Sequence, residues 1–431
     1  MANDHPDQSR REFLKQGALS GVAMVALPGL APRLVPVGYL PEARAKAVIH
    51  IFLSGGLSHL DTFDPKPFAP VEVRGQFGTV KSKADGELFS NLVPRTARVA
   101  DKITLIRSMT HTEAAHERGR HTMHTGYQPS PAITYPSMGT VVAHELGTQK
   151  SLPAYACVPA ANDIYLGTGY LSAAYAPFSI GAEPNRRNFQ VRDLSLPRGV
   201  GSKRLARRRK ILAALDEEFT KIASSEAAQA SSAFYEQAYD LIQSKHAREA
   251  FRISKHPGKL RNSYGRTNIG QRLLLARGMV EAGVRWVTVL DSGYDNHRDL
   301  VRGLRGRMQQ LDRGYAALLQ DLDASGLLDQ TLVLLTTEFG RTPRINSNRG
   351  RDHWPRAFSV LLAGGGVKRG VVHGATLADG SEPARDPVKP ADLSATVFQL
   401  LGIDPEKKIL SPGGRPIDIV RGGQVLDQLL A

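Results

Sequence analysis

The sequence predicts an α/β protein, a mostly parallel β-sheet sandwiched by helices and carrying a helical insertion. Three observations predict it. Continuous apolar runs of strand length recur along the chain, segments of helical pattern separate them, and each run ends on polar residues suited to a loop. With 431 residues, 41% of them hydrophobic, the chain can bury a full core in one large domain or two ordinary ones. Wholesale disorder is excluded by the same composition.

The chain opens on a leader. Ser9-Arg10-Arg11-Glu12-Phe13-Leu14-Lys15 has the form of a twin-arginine export signal, followed by a Gly/Ala-rich run from Gly17 to Pro32 and a small-x-small peptidase site at Ala43-Arg44-Ala45. The run is too short, and too broken by Pro28, for a membrane span. Residues 1–47 are therefore expected to be a signal peptide that the twin-arginine translocase reads through Arg10 and Arg11. Residues 48–431 would then form a periplasmic or exported domain without a stable membrane anchor. Proteins take that route already folded. A lone cysteine, Cys157, excludes an intramolecular disulfide and agrees with folding before export.

Val48-Ile49-His50-Ile51-Phe52-Leu53, closed by Ser54-Gly55-Gly56, reads as a buried central strand. The stretch 127–200, rich in Pro, Gly and Tyr, is expected to wrap over the sheet edge and line a pocket. Residues from about 201 to 256 read as the helical insertion; its basic opening, Lys203-Arg204-Leu205-Ala206-Arg207-Arg208-Arg209-Lys210, is expected to be a solvated helix face. A helix over 268–282 leads to a strand over 285–290 that ends at Asp291. A helix over 300–324 leads to a strand over 331–337 that ends at Glu338, and Val360-Leu361-Leu362-Ala363 before three glycines is a fourth strand. In sheets of this kind ligands bind at the carboxyl ends of the strands.

The net charge is +15, of which the leader, with six Lys/Arg and four Asp/Glu, leaves +13 to the domain. A surface this basic draws anions. Nucleic acid is not the expected partner, because no recognised binding motif accompanies the basic run and export separates the protein from it. Five of the thirteen histidines lie between His59 and His124. Placed on one helix, His116, His121 and His124 fall within about 140° of arc and would face one site.

Three constellations supply carboxylates beside imidazoles at strand ends: Tyr294-Asp295-Asn296-His297, Glu338-Phe339-Gly340-Arg341 and Asp352-His353-Trp354. Imidazole and carboxylate together suit zinc, manganese or magnesium, and the Arg341 guanidinium suits bidentate grip of a tetrahedral anion. Convergence of these loops would give at least three ligands with room for a second ion, which fits in-line displacement at phosphorus or sulfur.

The run from Ile51 through Ser54-Gly55-Gly56-Leu57-Ser58-His59-Leu60-Asp61-Thr62-Phe63-Asp64 to Pro67, the Asp295/His297 loop, Thr337-Glu338-Phe339-Gly340-Arg341-Thr342-Pro343 and Gly350-Arg351-Asp352-His353-Trp354 together resemble one bacterial family. It is the twin-arginine-exported, sulfatase-like domain of unknown function 1501, a branch of the alkaline phosphatase superfamily. The resemblance implies an alkaline phosphatase-like fold with one or two divalent ions, zinc, manganese, magnesium or calcium. Asp295, His297 and His353 would hold the first ion. Ser54-Gly55-Gly56 stands where the superfamily carries an aspartate, so Glu338 with Asp61 or His59 would serve the second. His116, Arg341 and Thr112 are the implied catalytic residues. The nucleophile is open between Thr112, at a helix start, and water activated by the metal with a histidine as base. His121, His124, Asp352 and Asp291 complete the candidates. The implied activity is hydrolysis of a sulfate or phosphate ester on an anionic small molecule or polysaccharide; the alternative is a domain that binds metal or acidic polymers without turnover.

Overall fold

The computed structural model describes residues 42–149, 151–191 and 239–431, with isolated positions between 194 and 211. The export motif with Arg10 and Arg11, and most of the insertion and its basic opening before residue 239, lie outside the described residues. The domain starts a little earlier than residue 48. Ala45 is buried, and the backbone N–H groups of Arg44 and Ala45 both donate to the Leu400 carbonyl, at 2.9 and 2.8 Å.

Eight strands form the central sheet: β1 (Ala47–Ser54), β2 (Ile103–Met109), β3 (Tyr155–Val158), β4 (Phe178–Ser179), β5 (Trp286–Ser292), β6 (Thr331–Thr336), β7 (Phe358–Ala363) and β8 (Val371–His373). Their order is β8-β2-β7-β6-β1-β5-β3-β4. All neighbours are parallel except β7, which runs antiparallel to both β6 and β2. The fold is thus mixed α/β with a mostly parallel central sheet, as the apolar runs predict.

Helices cover both faces. Along β1, Ile49, Ile51 and Leu53 point into a core shared with α3 (Asn268–Ala282) and α4 (Leu300–Ala324). Val48 and Phe52 point into a second core shared with α2 (Met138–Leu146) and α5 (Pro390–Leu400). The period-two alternation of a strand therefore buries both halves of the run, which is why it reads as continuously apolar. Helices α3 and α4 occupy the bounds that the sequence predicts. The Thr267 hydroxyl caps α3 by accepting from the Gly270 N–H, and Gly283 ends it in the left-handed region. On α4, Leu300, Leu304, Met308, Leu311, Tyr315, Leu318 and Leu322 form one buried stripe at helical spacing.

Register places the site. Leu53 and Ser54 of β1 lie opposite Asp291 and Ser292 of β5, and Phe52 lies opposite Thr336 of β6. Because the three strands are parallel, Gly55-Gly56, Gly293–Asp295 and Thr337-Glu338 leave the sheet at one edge.

The core also holds two histidines. On α1 (His116–Thr125), His124 packs its ring 4.2 Å from Phe52 and 5.7 Å from His50, whose Nε2 bonds the Thr336 hydroxyl at 2.8 Å. Burial lowers the pKa of His124 to about 3 and that of His50 well below its usual value. The unfolded chain takes up these protons near pH 6.5 and the native state does not, so stability is complete above that pH and lost as pH falls toward 3. Each buried histidine is expected to contribute about 1.4 kcal/mol per pH unit to that loss. Urea midpoints between pH 7.5 and 4.5 read it; His124→Leu should flatten the slope, and an unchanged slope refutes the assignment.

Candidate metal centre

The loops leaving β1, β5 and β6 meet the start of α1 and a short two-stranded ladder, Gly340–Arg341 with His353–Trp354. Their contact is close enough to demand glycine. Gly55 has a φ of +121°, and a Cβ there would lie 2.5 Å from the Asp295 backbone nitrogen; at Gly56 it would strike the Phe339 ring at 2.7 Å.

Asp295 is the hub. Its Oδ1 lies 2.9 Å from His297 Nε2 and 3.3 Å from His353 Nε2, and its Oδ2 lies 3.3 Å from His116 Nε2. The nitrogens of His297 and His353 are themselves 3.0 Å apart. Each imidazole is held from behind through its other nitrogen. His116 Nδ1–H donates to Glu338 Oε1 at 2.7 Å, His297 Nδ1–H to Asp352 Oδ1 at 2.6 Å, and His353 Nδ1–H to the Ala114 carbonyl at 2.7 Å. All three acceptors are oxygens without a hydrogen to give, so in the neutral ring the proton stays on Nδ1 and the Nε2 lone pair faces inward. With all three rings neutral, three lone pairs and a carboxylate converge with no hydrogen between them. That arrangement is repulsive, and a bound cation or a proton on one ring would relieve it.

The electrostatics agree. Partial burial works to raise the Asp295 pKa, but the hydrogen bond and charge of Arg341 outweigh it and hold the carboxyl at about 2. The hydrogen bond that His116 donates to Glu338 raises the pKa of His116, whereas burial lowers that of His353. His116 Nε2 is buried and has no hydrogen-bond partner. His116, Asp295 and His353 offer ligand atoms that all lie within 4.8 Å of one another. An imidazole-rich set with one carboxylate, each imidazole oriented by an oxygen behind it, fits a divalent transition metal such as zinc.

The support behind the ligands is buried. Glu338 is fully buried and accepts the Gly55 N–H at 2.7 Å; the Thr337 hydroxyl sits 3.1 Å from its other oxygen. Phe339 packs its ring 5.1 Å from His116 and 4.6 Å from His353 and walls off one side. Asp295 and His297 are 44% and 40% exposed in their side chains, so the ligand face opens to solvent.

A family model described as "Protein of unknown function (DUF1501)" matches residues 45–430. The chain belongs to this family. No curated protein matches it. Among solved structures, this DUF1501 chain is similar to the lipoteichoic acid synthase LtaP from Listeria monocytogenes, at 10% identity and a TM-score of 0.39, over 87% of this chain and 76% of that one. It is similar to the PsFucS1 sulfatase from Pseudoalteromonas sp., at 13% identity and 0.39, over 84% and 68%. Likeness extends to the alkaline phosphatase from the Antarctic bacterium TAB5, at 12% identity and 0.35, over 76% and 94%.

Of the residues singled out in the DUF1501 sequence, Asp295, His297 and His353 lie together, and His116 joins them as a further imidazole. Asp352 and Glu338 stand behind them as anchors. The other candidates are elsewhere. Asp61 is fully buried, with its carboxylate committed to an ion pair with Arg351 at 2.7 Å and to the Ser58 hydroxyl. His59 is buried with Nε2 on the Gly380 carbonyl at 2.9 Å. Asp291 faces the other side of β5, held by Arg272 at 3.1 Å and the Tyr294 hydroxyl at 2.8 Å. His121 turns to the Tyr127 carbonyl at 3.1 Å, and His124 enters the core. The shared arc on α1 did not make one site, because that helix is packed on more than one side.

Arg341 is placed differently from the expected anion grip. Its guanidinium is buried and donates to the carbonyls of Gly55, Gly56 and Arg351 and to Asp295, so it positions the hub carboxylate. The Thr112 hydroxyl accepts from Gln128 Nε2 at 3.4 Å and lines a neighbouring cavity. Sequence reasoning missed the Ala114 carbonyl, the Gly55 N–H and Asn346, which donates to Asp352 at 3.2 Å and to the His297 carbonyl at 3.2 Å. Backbone groups carry no signature in a sequence. The Gly55-Gly56 pair, needed where two chains approach, was the one readable hint.

Proposed function

We propose that this DUF1501 protein is an exported, metal-dependent hydrolase of sulfate or phosphate esters. One observation carries the reading: three Nε2 lone pairs converge on Asp295, each imidazole oriented through Nδ1 by an oxygen behind it. His116, His297, His353 and Asp295 would hold one divalent ion. Bound there, such an ion supplies Lewis acidity to an ester oxygen and eases deprotonation of water. The chain's own residues keep the site ready. Glu338, Asp352 and Ala114 hold the rings, Arg341 holds Asp295, and Phe339 keeps water from one flank, while the exposed side of Asp295 and His297 admits substrate.

Among the described residues no Ser, Thr or Cys side chain hydrogen-bonds to the four ligands, so water is the nucleophile in this reading. The basic charge suits an anionic ester, whether a small molecule or a polysaccharide. The Arg10-Arg11 motif supports passage through the twin-arginine translocase to the periplasm or beyond. No helix among the described residues is long and apolar enough to cross a membrane. A second reading, metal binding without turnover, is favoured by the commitment of Arg341 to backbone carbonyls.

Metal analysis of the purified protein together with aryl sulfate and aryl phosphate assays tests both. The hydrolase reading expects stoichiometric metal and metal-dependent turnover of one ester. Bound metal without turnover of either moves the reading to the binder; absence of metal after folding with zinc, manganese, magnesium and calcium overturns both.

A further inference from the structure

A cavity of about 920 Å³ opens beside the metal centre, well above the size of a single tetrahedral anion and within the range of sites for organic ligands. The strap 110–115 separates the two. Thr110, His111 and Thr112 line the cavity, whereas Ala114 holds His353. His111 joins the two structurally: its Nε2–H donates to the Glu338 carbonyl at 2.7 Å and its Nδ1 accepts the Glu113 N–H at 3.0 Å. Both nitrogens are therefore committed, and burial keeps the ring's pKa low. His111 thus presents an uncharged ring to the cavity.

The walls have two further qualities. Tyr127 and Tyr135 stack at 3.9 Å with planes 10° apart; Tyr127 is buried, so of the pair the half-buried Tyr135 offers the open ring, with the hydroxyl- and amide-bearing Thr112, Gln128 and Ser130 near it. On the rim, Arg356 pairs with Glu382 at 2.6 Å, but Lys389 and Arg421 are exposed and form no ion pair among the described residues. The first turn of α5, at Pro390 and Ala391, lies on the same rim, where Asp392 accepts the backbone N–H groups of Lys389 and Gln424.

We propose that this cavity binds an acidic saccharide chain. Flat aromatic faces suit the C–H faces of sugar rings, the hydroxyl and amide groups suit sugar hydroxyls, and two uncompensated cations suit a sparse charge of carboxylates or sulfates. A polynucleotide, with a phosphate on every unit, would call for a denser cationic wall over this volume. That the saccharide carries the ester cleaved next door rests on the hydrolase reading; binding in the cavity does not.

Calorimetry with a hyaluronan tetrasaccharide, cellotetraose and tetrathymidylate tests it. The hyaluronan tetrasaccharide is expected to bind, more weakly as salt rises, and Lys389→Gln/Arg421→Gln is expected to reduce affinity by at least about tenfold while leaving metal content unchanged. His353→Ala should keep the binding although metal and turnover are lost; saccharide binding by a native protein that turns over neither aryl ester counts against the hydrolase reading alone. Equal affinity in the double variant, no binding of the hyaluronan tetrasaccharide, or binding of cellotetraose or tetrathymidylate as tight as that of the hyaluronan tetrasaccharide overturns the proposal.

Discussion

Alanine at position 353 is expected to release the metal. His353 Nε2 sits 3.0 Å from His297 Nε2 and 3.3 Å from Asp295 Oδ1, so its removal takes one of three imidazole donors from a site that faces solvent. Metal content of the His353→Ala protein, measured after dialysis against a weak chelator, should fall from one equivalent to below about a tenth of one, with ester turnover lost in parallel. A milder change behind the ligands should have a graded effect. Glu338→Gln keeps the shape of the side chain but removes the negative charge that accepts His116 Nδ1–H at 2.7 Å, and is expected to weaken metal affinity by roughly 10–100-fold. Undiminished metal in His353→Ala would refute the centre. An effect of Glu338→Gln on stability but not on affinity would refute its role as anchor.

Breaking the Asp61–Arg351 pair is expected to destabilise the fold without touching the metal. Both side chains are fully buried, with Arg351 Nε 2.7 Å from Asp61 Oδ2 and its Nη2 2.7 Å from the Val73 carbonyl. Arg351→Met leaves a carboxylate in the interior with only the Ser58 hydroxyl beside it, and an uncompensated buried charge of this kind costs about 3–5 kcal/mol. The backbone carbonyl of Arg351 also accepts from Arg341 Nη1 at 2.9 Å, so the two arginines brace adjoining parts of the same loop. Denaturant unfolding of the metal-loaded protein reads the loss. Asp61→Asn should likewise lower stability and keep one equivalent of metal. Loss of metal from Asp61→Asn with stability intact would make Asp61 a ligand after all.

Much of the fold is legible in the sequence because parallel strands covered on both faces must be apolar throughout. This holds for β1, β5 and β6, and α3 carries its cap and α4 its stripe in plain view. Strand β2 is hidden by Arg107, a charge whose guanidinium is satisfied from outside the strand, by the Phe63 carbonyl at 3.0 Å and by Glu87. Strand β3 is four residues in a Pro/Gly-rich stretch, too short for periodicity to register.

At the site, residue types at strand ends were enough to pick out Asp295, His297, His353 and Glu338. Sequence alone set β1, β5 and β6, their parallel sense and the kind of chemistry that their ends would carry, since these follow from local patterns of apolar and ligand-type residues, whereas the antiparallel turn of β7 came from the tertiary structure. Tertiary structure alone decided which of those residues act together. Asp61 and Glu338 are both buried carboxylates, and only their partners distinguish them: Arg351, 290 positions away, neutralises the first, whereas the imidazole of His116, 222 positions away, meets the second. A carboxylate's role depends on which charge lies within a few ångströms of it, and that distance is set by the packing of loops far apart in the chain.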